Sequence, residues 1–308
     1  MMGMRWCCSA VKNVSSSYAL KLLIPPLCLV LVVIYGLTDK LRNFVAGLFI
    51  PQYNHHYPVA FFFLFVLVSL LVLNLLHLVT LVPLKRYSWC LGEKLLIPAI
   101  CSSIQAVLSM WVKTSNSYAG LFLLILPLLP LVTVACSFCL KLTSPPSAHI
   151  SVMISILSGT SVVIAASKDL SHVELLEYIY TPLAIILHSL SLTCLAKVFH
   201  AVNHDEPDSK DSVSVFDVYY AQLVNQGWVL GFLWLLHPDN PWKVLTHGSW
   251  NSLLFIGYLL AILLLGMVLD FLVGLSALCV SPLAAALLHS AKQLVQPFVL
   301  LLQKCILI

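Results

Sequence analysis

Nine apolar runs, each long enough to be a complete helix, succeed one another along the chain: 18–38, 58–84, 94–113, 118–140, 148–167, 174–200, 214–237, 250–276 and 279–303. Crossing the hydrocarbon core of a bilayer takes ~20 apolar residues in a helix. Only helices and closed barrels satisfy every backbone group inside lipid. Barrel strands are ~10 residues long and alternate in polarity, so these continuous runs are predicted helices. The expected fold is an all-α membrane protein, a polytopic helical bundle of about nine spans. Composition agrees. Charged residues make up 9% of the 308 residues and hydrophobic residues 60%, whereas a soluble domain carries roughly a quarter charged.

The polar breaks read as loops, among them "VPLKRYSWCLGEK", "LTSPPSAH", "SKDLSH", "HAVNHDEPDSKDS" and "HPDNPWKVLTHGSW". None is large enough for a soluble domain, so 1–308 is expected to be a single integral membrane domain. With the N-terminus inside, Arg5, Lys12, Lys21, Lys85, Arg86, Lys94, Lys141, Lys197 and Lys210 face the cytosol, against Lys40, Arg42, Lys113, Lys168, Lys243 and Lys304 on the other side. That bias predicts a cytosolic N-terminus by the positive-inside rule. The start "MMGMRWCCSAVKNVSSSY" is polar for too long to be an ordinary cleaved signal peptide. The net charge of +4 is small, and no block of Lys and Arg interleaves with aromatics; a bilayer partner fits this pattern and a nucleic-acid partner does not. The Cys136-x-x-Cys139 pair sits in the apolar stretch "VACSFCLKL", where Cys acts as a small hydrophobe.

The informative residues are the polar ones inside the runs. An ionisable group in a span costs ~2.5–3.5 kcal/mol on insertion scales and usually faces a cavity or a partner. Lys292 lies ~16 Å along its helix from Ser281, at 1.5 Å per residue. Ser281, Ala284, Ala285, His289, Lys292 and Gln296 recur at helical spacing as one small-and-polar stripe. Two roles fit Lys292: pairing with Asp270, or meeting an anionic solute in a cavity. Lys197 and His188 sit nine residues apart in the sixth run, at similar angles on the helix. Lys197 and Lys40 also suit interfacial anchoring. Tyr118 and Tyr178 suit interfacial belts or stacking. Asn74, His77 and Gln105 suit hydrogen bonds between helices.

Catalytic constellations are missing. The chain has no H-E-x-x-H, no G-x-S-x-G and no P-loop. No enzyme activity and no cofactor are expected. "NHDE" at Asn203–Glu206 reads as solvated loop, not a metal site.

Five stretches in order, "YGLTDKL", "LSMWVKTSNSYAGLFLLILPLLPLVT", "GTSVVIAASKDLS", "LAIILHSLSLTCLAKVF" and "LDFLVGLSALCVSPLAAALLHSAKQLV", resemble the nucleotide-sugar and triose-phosphate transporter branch of the drug/metabolite transporter superfamily. The UDP-sugar subgroup is the most similar. The resemblance runs from about Tyr35 to Gln303. It places Lys40 at the basic end of the first helix, Lys197 at that of the sixth, and Lys292 as the single Lys of the ninth.

The resemblance implies an inverted-repeat fold, with a first repeat over 18–170, a second over 171–308, and a tenth helix missing. It implies an antiporter that brings a nucleotide sugar into the Golgi or endoplasmic reticulum lumen in exchange for a nucleoside monophosphate. The substrate-binding residues expected on this reading are Lys292, Lys197, Lys40, His289, Tyr118, His188 and Asp270. A homodimer is compatible with it. Three positions depart from the subgroup besides the missing helix. Leu126 and Pro127 stand where it has a Lys-Arg pair, and Asp270 stands where it tends to have Asn. These departures favour an alternative, a non-transporting scaffold or regulatory protein of the same fold.

Overall fold

The computed structural model describes residues 18–53, 58–85, 87–114, 121–142, 146–166, 176–205, 213–236 and 250–306. All regular structure among them is helical: α1 (Tyr18–Tyr53), α2 (Pro58–Leu78), α3 (Trp89–Lys94), α4 (Leu96–Thr114), α5 (Leu121–Ile125), α6 (Leu129–Cys139), α7 (Ala148–Ala166), α8 (Glu177–Asp205), α9 (Val215–Leu236), α10 (Leu253–Cys279) and α11 (Pro282–Ile306). Each predicted run contains helix among the described residues, and the second ends at Leu78, short of its predicted edge at 84. Among the described residues, three segments, Val59–Leu78, Glu177–Asn203 and Leu253–Cys279, are long and apolar enough to cross a membrane, and shorter apolar helices lie at Leu96–Ser109, Leu126–Cys139 and Ala148–Ile164.

The polarity of the bundle is inverted relative to a soluble protein. Leu71, Met153, Val163, Trp228, Phe232 and Leu253 are exposed, while Ser69, Thr133, Ser158, Ser161, Thr181, Ser189, Thr193 and Ser290 are buried. An apolar exterior over a small-residue interior is what lipid as solvent selects. Most inner hydroxyls turn back on their own helix: Ser69 Oγ to Phe65 O at 2.8 Å, Thr133 Oγ1 to Leu129 O at 2.8 Å, Thr193 Oγ1 to Ser189 O at 2.8 Å and Ser290 Oγ to Ala286 O at 2.7 Å. A few cross between helices, such as Ser191 Oγ to Pro98 O at 3.0 Å and Ser161 Oγ to Leu294 O at 3.2 Å.

α8 lies centrally, packed along α4 and α6, with α10 and α11 also against it. α10 runs beside α1, and α9 beside α2 and α4. Ala184, Ala277, Ala285 and Ala286 are fully buried in one core cluster with Leu129, Ile185 and Leu269, and their small side chains let α8, α10 and α11 approach closely.

Two departures from the predicted helices bear on the site. α1 continues to Tyr53, through "TDKLRN", which hydropathy assigned to a loop beyond residue 38. Nothing between Gly36 and Pro51 breaks a helix, and Asn43 Nδ2 donates to Asp39 Oδ2 at 3.0 Å one turn away. The fourth run is not continuous either. Leu126–Leu128 form a 3₁₀ turn between α5 and α6, with Pro127 inside it and Pro130 at the start of α6, and proline favours such a tightened start. The α10–α11 junction follows its sequence signals. Ser281 Oγ accepts from Ala284 N at 3.1 Å as an N-cap, and Pro282 opens the helix.

Candidate functional site

The charged residues of α1 and α11 meet. Lys292 Nζ lies 3.4 Å from Asp39 Oδ2, with the lysine side chain 56% exposed and the aspartate 23%. The carboxylate on Lys292 is therefore Asp39, not the Asp270 that the sequence suggested. Asp270 instead accepts a hydrogen bond from Tyr219 Oη at 3.0 Å. Hydropathy hid Asp39 by placing it in a loop, so Asp270 was the candidate carboxylate left within a span.

Asp270 sits between two glycines at helical spacing, Gly266 and Gly274, and each makes room for a neighbour. A Cβ added at Gly266 would stand 3.6 Å from Arg42 Nε and 3.1 Å from Phe65. A Cβ at Gly274 would meet the Tyr219 ring at 3.0 Å. Arg42 thus reaches over Gly266 toward Asp270 and interacts electrostatically with both Asp39 and Asp270. Asp270 is exposed on α10. Two cations, Lys292 and Arg42, and two carboxylates, Asp39 and Asp270, thus gather where α1 meets α10 and α11.

One turn before Lys292, His289 Nδ1 shares a 3.1 Å hydrogen bond with Tyr35 Oη from α1. The His289 ring tilts against that of His188 from α8, with centroids 4.8 Å apart. His188 Nε2 is buried and has no hydrogen-bond partner. Both imidazoles face a crevice that also holds Gln105 and is walled by Phe122, Leu126, Leu129, Ala184 and Ile185. The crevice is too tight in this conformation to admit a water molecule. Leu126, one of the two positions where the resembled subgroup carries a basic pair, is part of its apolar wall.

The structure therefore brings together four of the expected site residues, His188, His289, Lys292 and Asp270. Lys197 is exposed near the C-terminal end of α8, and Lys40 is exposed on α1; neither joins the cluster. Tyr118 lies outside the described residues. Asn74 and His77 do not bridge helices as expected. Asn74 Nδ2 donates to Leu70 O on its own helix at 2.8 Å, and His77 Nδ1 accepts from Leu84 N at 3.1 Å in the chain that follows α2.

Sequence reasoning missed Tyr35, Asp39, Arg42 and Tyr219. The first three had a legible signal. Their spacing of four and three residues puts them on one helix face once α1 is allowed to continue. The glycine-flanked Asp270 was a second signal, because a polar residue between two small ones at four-residue steps marks a close helix contact.

Among groups able to hold a metal ion, no cluster of three or more His, Cys, Asp or Glu occurs within the described residues. Comparison of the chain with protein-family models and with curated proteins finds no match. What the fold and site define is thus an α-helical protein with helices fit to cross a membrane and a charge cluster between α1, α10 and α11.

Proposed function

We propose that this chain is a multi-pass membrane transporter that exchanges an anionic solute, with a nucleotide sugar moving one way and a nucleoside monophosphate the other across a Golgi or endoplasmic reticulum membrane. The N-terminus lies in the cytosol on this reading, and the nine helical runs cross the bilayer as two inverted repeats. The observation that carries the anion is the meeting of Lys292 and Arg42 with Asp39 and Asp270 inside an apolar bundle. Ionisable groups are kept within such bundles for ions, protons or solutes. Bound carboxylates occupy the two cations when no solute is present. A phosphate group competes with Asp39 for the Lys292 ammonium, which recognises it as a point charge. The helices then rearrange about the filled site, as in alternating access.

The resemblance to nucleotide-sugar transporters narrows the solute. Once the helices part, the crevice beside His289 offers Gln105 for hydrogen bonding and Phe122 for contact with a planar ring.

The balanced charge of the cluster favours a second reading, a non-transporting protein in which Lys292–Asp39 is a structural tie. One experiment separates the two. The purified chain is reconstituted in liposomes preloaded with UMP or GMP and offered a panel of labelled nucleotide sugars. Counter-stimulated uptake that Lys292→Ala abolishes at equal protein abundance supports transport. Folded, monodisperse protein that exchanges no member of the panel supports the structural tie.

A further inference from the structure

Charge balance around Lys292 raises a question that its ion pair with Asp39 does not answer. By formal charge the ligand-free cluster balances, Lys292 and Arg42 against Asp39 and Asp270. A diphosphate ester entering it adds two negative charges. It also frees Asp39 from Lys292. Uncompensated charge in a low-dielectric site is expensive. The cluster therefore needs a positive charge that appears when the solute arrives and disappears when it leaves.

His289 has the position and the chemistry for this. It lies one turn from Lys292 on α11, and Tyr35 Oη holds its Nδ1 at 3.1 Å. Histidine is the side chain whose charge changes near neutral pH. The groups around it come from every side. α1 brings Tyr35, Asp39 and Arg42, α8 brings His188, and α10 brings Asp270, itself held by Tyr219 of α9. The other helices against α11, α6 and α7, carry only Cys136, Cys139 and His149 as ionisable side chains. In the empty site Lys292 and Arg42 oppose a further cation at His289. A bound dianion reverses that balance. His188 is the lesser candidate, because its surroundings are the apolar walls of the crevice, Phe122, Leu126, Leu129, Ala184 and Ile185, where a charge has no counter-ion.

We propose that His289 takes up a proton from solvent when an anionic phosphate ester binds beside Lys292, and returns it when the ester leaves, so that solute movement carries a proton with it. The step is an acid–base exchange alone. Neutral imidazole gains one proton from water on the entry side, and imidazolium loses it to water on the exit side. The inference rests on the transporter reading above.

The test measures protons taken up on binding. The full chain in detergent is titrated calorimetrically with a panel of nucleotide sugars in two buffers of different ionisation heat. Their esterified diphosphates, unlike a terminal phosphate, do not titrate over the range of roughly pH 5–8 in which histidine does. The expected result is an uptake approaching one proton per ligand, with affinity rising by up to about tenfold for each unit of falling pH between the free and bound titration midpoints. His289→Gln keeps a polar side chain beside Tyr35; its affinity should fall, and the proton uptake per ligand bound should be gone. Tyr35→Phe, which leaves the imidazole in place, should keep the uptake and move its midpoint. Binding without proton uptake in the unaltered protein overturns the inference and leaves the transporter reading standing. Uptake that persists undiminished in His289→Gln overturns the assignment to His289. Failure of folded protein to bind any nucleotide sugar overturns the transporter reading and this inference together.

Discussion

Asp217 offers a quantitative test of how the loop after α2 is fastened to α9. Its carboxylate accepts from Lys85 N at 2.7 Å and from Ser214 N at 3.0 Å, and Asp217 N donates back to Ser214 Oγ at 3.2 Å. Ser214 and Asp217 form a reciprocal capping box, and the bond to Lys85 extends it across 132 residues of sequence. Asp217 is 6% exposed, so water replaces the carboxylate poorly. A hydrogen bond to a charged group contributes about 1.5–3 kcal/mol. Losing two such bonds in Asp217→Ala, with partial recovery by water at the helix end, costs about 3–5 kcal/mol. At about 2 °C per kcal/mol for a chain of this size, Tm falls by about 6–10 °C. Asp217→Asn keeps one acceptor oxygen and should lose about half as much. The measurement is thermal unfolding in detergent, followed by helical circular dichroism at fixed protein and detergent concentration. An Asp217→Ala protein that melts within a degree of the unaltered chain refutes the account. Equal losses in the Asn and Ala variants would refute the two-bond arithmetic, since charge rather than acceptor number would then be responsible.

Other substitutions test neighbouring contacts. Gly92→Ala places a methyl group against the Tyr87 hydroxyl, which is itself held by Asn225 Oδ1 at 2.8 Å while Asn225 Nδ2 donates to Gly92 O at 2.7 Å; the same melting assay should show a loss of about 1–3 kcal/mol, and an unchanged melt would refute the packing. Tyr219→Phe removes a donor from Asp270, leaves that carboxylate to hold Arg42 more tightly, and should weaken nucleotide-sugar binding by about 1 kcal/mol, or about fivefold; equal affinity in calorimetry would show that Arg42 takes no part.

The helices were legible because hydropathy reads the commonest property of this chain, apolar runs bounded by Pro, Gly and charge. The ends of α1 and α6 show where that property stops informing. At α1, hydropathy counts Asp39 and Arg42 as solvent-seeking and closes the span, but their charges are met by Lys292 and Asp270 on helices more than two hundred residues away. Tertiary partners satisfy them, and no window along the sequence contains those partners. At Leu126–Leu128 the residues are as apolar as their neighbours, and the 3₁₀ turn reflects backbone restriction by Pro127 and Pro130, to which hydropathy is blind. The site followed the same division. Lys292, His289, His188 and Asp270 were visible as polar exceptions inside apolar runs. The partner of Lys292 was not, because choosing between Asp39 and Asp270 requires knowing how α1 packs.

The inward hydroxyls that bond to their own helices have a mechanical consequence. Ser69, Thr193 and Ser290 each spend their proton on a carbonyl within the same helix. Their helices can slide past one another by a fraction of a turn with those buried bonds intact. Friction is low along such faces. Cross-helix ties resist shear, among them Ser191 to Pro98, Ser161 to Leu294 and Thr133 to Ser189, which couple α8 to α4, α7 to α11 and α6 to α8. The charge cluster lies where α11 meets α1 and α10, so any sliding of the α7–α11 unit against α1 strokes Lys292 directly past Asp39.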